Sequence, residues 1–408
     1  MMMFVYGLSC KKAEKKDIPE PVAAVSDPAL EVFWQVRADS GELGSFGREP
    51  LIWGDKLIWS NARYAEGFEV ILTDATKGTE LWRWQDFIKY RELPYQNFHF
   101  IANDHYYLNN IQETHCIDLS TGQTAWQDYN ANAGAYISLA GDHLYGKLQD
   151  QAFKPNTCIL RRTGLGQLGW ESILQVDKED NQGFSPAIFG PSLWLAPGGD
   201  SVLIFQNRSW NFNLGKGRID LCAFDLNAQT WRFVIKDIEP TGNSNVLPPL
   251  VDGHLAYLVG AKNLHCVDLQ TGKVIWQKGF PGRGHHLMLS NLVIDGSMLV
   301  VKSDDDRIYG FDKVSGRILW DQSDAGGSPS HMKLCRGVVY YTSDSDGKLY
   351  GVKTATGEIL CSSASPNQGK AGCPLAGFHS GVAVSEELGL IFAHDHHYMM
   401  AIKMPGLP

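Results

Sequence analysis

Histidines and acids are the residues of this chain whose types and spacing could do chemistry. His286, His331 and His379 stand 26, 22 and 24 residues ahead of three successive repeat positions at 312, 353 and 403. His394 and His396 follow in the run His394-Asp395-His396-His397, and the tips Ser303-Asp304-Asp305-Asp306 and Asp344-Ser345-Asp346 add carboxylates. Neutral imidazoles converging with a carboxylate suit a divalent first-row metal or an anionic ligand. His286, His331, His379, His394 and His396 are therefore the expected metal set, and a metal-dependent enzyme or ligand-binding protein is one function they would serve. The same residue types also cap strand entrances and line wet channels, and Asp-rich tips serve as solvated turns. A second kind of site is carried by Trp210 and Phe212, set among polar residues from Gln206 to Gly217, and by Arg283. Aromatic and Arg side chains on loops of a rigid scaffold are anchors for a protein partner.

The elements that must position these residues repeat along the chain. Asp74 is followed by Gly78 and Trp82, Asp118 by Gly122 and Trp126, Asp268 by Gly272 and Trp276, and Asp312 by Gly316 and Trp320, each at steps of four. Lys353, Gly357 and Cys361 keep the spacing without the Asp or the Trp, and weaker copies end at Trp170 and Trp231. An alternating apolar run precedes each Asp, as in Leu264-His265-Cys266-Val267, and reads as a strand. The carboxylate accepts from backbone N–H groups two or three residues on, and Gly supplies the left-handed turn residue. This chemistry makes a hairpin and assigns the repeated Asp residues to structure.

The repeat positions 74, 118, 161, 225, 268, 312 and 353 give a period in the low forties, with an insertion of roughly twenty residues between 161 and 225. Strand-only units of that period are propeller blades. An eighth unit comes from both ends, Leu390-Ile-Phe-Ala and Tyr398-Met-Met-Ala-Ile-Lys403 joining Val32-Phe-Trp34-Gln-Val, which closes the ring and removes an open edge. The fold expected is all-β, one eight-bladed propeller over 30–408, or seven-bladed if the copy at Arg161 is no blade.

The Asp-x-x-Thr-Gly-x-x-x-Trp pattern, with a small residue two before the Asp (Cys116, Cys266, Gly310), resembles the tryptophan-docking repeat of quinoprotein-type (PQQ-like repeat) propellers. That superfamily holds PQQ-dependent dehydrogenases and the BamB-like lipoprotein branch. The dehydrogenases use a catalytic Asp, a calcium and, in many members, two adjacent cysteines. Here Cys10, Cys116, Cys158, Cys222, Cys266, Cys335, Cys361 and Cys373 include no neighbours, and little chain remains beyond the blades to build a cofactor chamber. The resemblance therefore implies the BamB-like branch: a non-enzymatic scaffold in envelope assembly, with no cofactor. Cys361 and Cys373, at the ends of one loop, are the only pair placed to bridge.

The chain opens MMMFVYGLSC and turns to KKAEKKDIPEP. A short apolar run ending in small residues before Cys10 matches the end of a lipoprotein signal, with Cys10 acylated, residues 1–10 a truncated signal and 11–29 a tether. The protein is thus expected to be exported and lipid-anchored to the bacterial outer membrane, a monomeric propeller with a protein partner in the envelope. A net charge of −9, from Lys+Arg 36 and Asp+Glu 45, offers no basic stripe, so nucleic acid is not an expected partner. No run of about 18 apolar residues is present to span a membrane as a helix.

Overall fold

The computed structural model describes residues 29–38, 47–63, 67–86, 99–109, 113–129, 137–151, 154–239, 247–260, 263–280, 290–303 and 306–405. Cys10, Arg283 and His286 lie outside them. The described residues form eight four-stranded antiparallel sheets, each a simple meander. Blades 1 to 7 occupy 51–84, 99–129, 138–177, 192–239, 250–279, 292–322 and 333–364. Blade 8 takes three strands from 382–403 and its outermost from Val32–Arg37, paired with Tyr398–Lys403. The chain ends are therefore joined by a hydrogen-bond ladder, and the weak copy at Arg161 is a true blade. The innermost strand of each blade packs towards its neighbours around an axial channel, blade 8 meeting both blade 7 and blade 1.

The two middle strands of a blade carry the core. Leu255–Val259 is buried throughout, and so is the Leu264–Val267 part of its partner, since both faces are covered by adjacent blades. Their side chains meet those of the next blade, as where Leu255, Tyr257 and Cys266 pack against Leu299, Tyr309 and Phe311.

The repeated turn is built by its Asp. Asp118 Oδ1 accepts from Ser120 N at 2.8 Å and Thr121 N at 3.0 Å, while Gly122 N donates to the Asp118 carbonyl at 2.8 Å. Between the third and fourth strands of all eight blades the register slips, at Leu72/Thr73, Cys116/Ile117 and Cys266/Val267 among others. Such a bulge twists the outer strand. The twist carries its Trp onto the next blade: Trp82 Nε1 donates to Leu119 O at 2.9 Å, Trp34 Nε1 to Ala75 O at 2.8 Å and Trp320 Nε1 to Thr354 O at 2.9 Å. The ring lies on the turn Gly, so that a Cβ on Gly122 would stand 2.6 Å from Trp82.

Blade 4 departs from the expected position. Trp231 is 42 % exposed and packs tilted against Phe205 and edge-on against Phe224 of its own blade. Phe233 takes the docking place, and it is the ring that a Cβ on Gly272 would strike at 2.9 Å. The reason is spacing: Gln229 holds the left-handed turn position with φ 53°, four after Asp225, and the fourth residue beyond it is Phe233. The cysteines also need correction. Among the described residues all seven are buried and none forms a disulfide, Cys361 and Cys373 included. Cys361 lies across its blade from Gly351, in the place Trp320 takes opposite Gly310.

Candidate functional site

Inter-blade loops and the innermost strands they enter place one polar cluster at the channel. Arg48 and Glu49 precede the first strand of blade 1, His99 opens that of blade 2, and His331 and Lys333 enter that of blade 7. Lys333 Nζ is ion-paired with Glu49, and His331 Nδ1 stands 3.5 Å from the same carboxylate. His99 Nδ1 meets the Tyr106 hydroxyl at 3.0 Å, beneath a buried Arg48 whose Nη2 donates to Asn109 O at 2.8 Å. Burial pushes Arg48 down to about 10 and Tyr106 up to about 12. His99 is held well below its ordinary range by burial first, then by Arg48, Lys333 and His331. Burial lowers His331 as well, against the opposing pull of Glu49. Both imidazoles are therefore neutral at pH 7.

The remaining expected ligands fall elsewhere. His379 Nδ1 bonds Asp344 Oδ1 at 2.5 Å, and its ring lies tilted against that of His396, 4.4 Å centroid to centroid. His396 has a left-handed backbone at φ 73°, and its N–H donates to His394 Nδ1 at 3.0 Å. That bond turns His394 into the core beside Trp59. The four expected ligands within the described residues thus do not share one centre: His331 belongs with Glu49, His379 with His396, and His394 is buried in the core. Among the described residues no group of three His, Cys, Asp or Glu side chains is arranged to hold a metal. Between the histidines, buried Asp395 accepts from Ser365 Oγ, Asn367 Nδ2, His397 N and Tyr398 N, a network that fixes the hairpin.

Trp210 and Phe212 sit at the tip of the longest hairpin, Ser201–Asn211 with Lys216–Asp225. Both are about 40 % exposed. Trp210 exchanges backbone bonds with Ser185, and the Lys154 ammonium lies 4.9 Å from the Phe212 ring centre. The insertion between blades 3 and 4 is thereby spent on a longer hairpin and on the segment around 185–188 that braces it.

Residues 216–404 match a protein-family profile described as outer membrane protein assembly factor BamB. The chain is an eight-bladed propeller whose C-terminal blades are similar to that family. BamB of Yersinia pestis is 24 % identical over 311 residues, 64 % of this chain and 74 % of that one. BamB of Escherichia coli is 22 % identical over 154 residues, 35 % of this chain and 37 % of that one. Among solved structures, BamB from Moraxella catarrhalis superimposes with TM-score 0.56 at 12 % identity, over 92 % of this chain and all of that one. The quinohemoprotein alcohol dehydrogenase of Comamonas testosteroni gives 0.64 at 11 % identity, over 93 % of this chain and 77 % of that one. Those two likenesses concern the fold alone, which an assembly factor and an oxidoreductase share. At the axis of this chain stands the Glu49, His99, His331 and Lys333 cluster. Only His331 of the four stood out in the sequence, because Glu49, His99 and Lys333 carry no motif and meet only through the ring.

Proposed function

We propose that the protein is a non-enzymatic scaffold of the bacterial envelope, working in outer-membrane protein assembly. The observation that carries this reading is the match of the C-terminal blades to a family named for that task, on a chain whose propeller is complete. Its buried cysteines support a structural rather than a redox part. Burial raises the thiols of Cys116 to about 12 and Cys222 further still, leaving neither as a thiolate. In this reading Cys10 is acylated after export, the following residues act as a tether, the propeller is monomeric, and a protein partner in the envelope docks through the exposed Trp210 and Phe212 and through Arg283. It requires no organic cofactor. Expression in a Gram-negative host with radiolabelled palmitate tests it: label and outer-membrane fractionation are expected, both lost in Cys10→Ser, and in-cell cross-linking from position 212 is expected to trap an assembly component. A protein that stays unlabelled in the cytosol, or a purified sample with a stoichiometric quinone spectrum, would overturn the reading.

A further inference from the structure

A half-open cavity of about 440 Å³ lies at the axis, bordered by the innermost strands of blades 1, 2 and 3 and by the entrance to that of blade 7. Its polar side chains are Glu49, His99, Ser138, His331 and Lys333, and its apolar wall includes Leu51, Phe100 and Ile137. Not all of the polar atoms can be reached. Ser138 Oγ and His331 Nε2 are covered by the protein itself. Glu49 is taken up by Lys333 and by the facing Nδ1 of His331. Two donors remain open to the cavity. The Lys333 side chain is 32 % exposed, with one of its three protons directed at Glu49. His99 is buried, yet its Nε2, without a protein partner, keeps some accessible surface.

The neighbours of His99 decide which of its nitrogens carries the proton. Arg48 can only donate, so the Tyr106 hydroxyl beside it accepts from the guanidinium and sends its own proton to His99 Nδ1. The neutral His99 then carries its proton on Nε2, on the side of the cavity. Arg48 also sets the charge. It is 3 % exposed and still protonated at pH 7, since burial brings it down only to about 10. Its Nη2 donates to Asn109 O and its guanidinium lies over the Phe68 ring, but no carboxylate pairs with it among the described residues. Lys333 and Glu49 cancel, so Arg48 leaves the cluster with one surplus positive charge. A buried cation without an anion is costly, and a bound anion offsets that cost.

We infer that the axial cavity binds a small monocarboxylate with an apolar body, its carboxylate accepting from His99 Nε2–H and the Lys333 ammonium and its body resting on Leu51, Phe100 and Ile137. Arg48 does not touch this ligand. It is a positioning residue, supplying the positive field and, through Tyr106, the tautomer of His99. A neutral molecule leaves the surplus charge unmatched, and a dianion exceeds it. The inference is independent of the scaffold reading, because neither Trp210 nor Phe212 lines the cavity.

The test uses the full chain and two probes of one shape, 4-butylbenzoate and the neutral 4-butylbenzamide, titrated by calorimetry. Saturable binding of the acid at one per chain is expected, with the amide weaker by about tenfold or more, the difference between a charge-assisted and a neutral hydrogen bond. Two substitutions change the charge of the cluster in opposite directions. Lys333→Met is expected to weaken the acid by about tenfold or more, and Glu49→Gln to tighten it severalfold, while neither moves the amide. A merely structural role for the ion pair would give both variants the same sign. Should either variant lower the unfolding midpoint, photolabelling of the unaltered protein with 4-azidobenzoate decides instead, with adducts expected within 51–52, 99–101 or 137–139 and suppressed by excess 4-butylbenzoate. No saturable binding of the acid, equal affinity for acid and amide, a folded variant without its stated effect, or labelling elsewhere overturns the inference.

Discussion

The blade-to-blade contact made by Trp82 on Gly122 is worth isolating, because two glycines with the same backbone separate conformational strain from docking. Gly54 and Gly122 have φ of 58° and 70°. A Cβ on Gly54 meets nothing within 4 Å, whereas one on Gly122 stands 2.6 and 2.7 Å from Cδ2 and Cγ of Trp82. Gly54→Ala therefore costs only left-handed strain, about 1 kcal/mol. Gly122→Ala adds an overlap of about 1 Å on a rigid ring, which has to lift from the turn. Lifting it breaks the 2.9 Å bond from Nε1 to Leu119 O, worth about 1 kcal/mol, and forfeits the ring's packing, about 1 kcal/mol more. The expected loss is about 3 kcal/mol, measured as the shift in denaturant midpoint at constant slope. In a Trp82→Ala background the overlap is gone, so Gly122→Ala should again cost about 1 kcal/mol, leaving a coupling of about 2 kcal/mol in the double-mutant cycle. Equal losses at Gly54 and Gly122, or a cycle that closes to zero, would refute the claim that this ring holds adjacent blades together.

Three further outcomes follow from the same geometry. In blade 4, Phe233→Ala should cost about 3 kcal/mol and Trp231→Ala about 1 kcal/mol, since Phe233 docks on Gly272 while Trp231 is half in solvent; urea unfolding of the two variants checks the order. Asp395→Ala strands the buried donors of Ser365, Asn367, His397 and Tyr398 and should lower stability by about 3 kcal/mol, with faster amide exchange at His397 and Tyr398 than anywhere in blade 4. For pH, His99, His331 and His115 all have folded values below the ordinary 6.5, with burial the first cause in each. The unfolded chain then binds protons that the folded chain refuses. Stability should be complete above pH 6.5 and fall as the pH drops below it, by up to about 1.4 kcal/mol per pH unit for each histidine. A stability profile flat from pH 8 to pH 5 is the contrary result.

What could be read in the sequence was whatever one hairpin encodes. Asp, Gly and Trp at steps of four specify a turn, its left-handed residue and a docking ring within about ten residues, so copies of them reveal the blades and their number. The same locality explains the error in blade 4. The chain there offers two aromatics near the right place, and Trp231 draws the eye. The turn counts its own residues: Gln229 occupies the glycine position, and the fourth residue beyond it is Phe233. The histidines went wrong for the opposite reason. His331 and His379 stand at similar offsets ahead of 353 and 403, yet His331 faces Glu49 and His379 bonds Asp344, while His394, at the end of a middle strand, is turned into the core by the bond from His396 N to its Nδ1. The axial cluster was not legible at all. It takes Glu49 from blade 1, His99 from blade 2 and His331 with Lys333 from blade 7, segments brought together only because blade 8 closes the ring between the last of these and the first. A ladder of hydrogen bonds between Val32–Arg37 and Tyr398–Lys403 is therefore a condition of the axial cluster: loosening it should open the Glu49–Lys333 pair before it disturbs the hairpins that announced the fold.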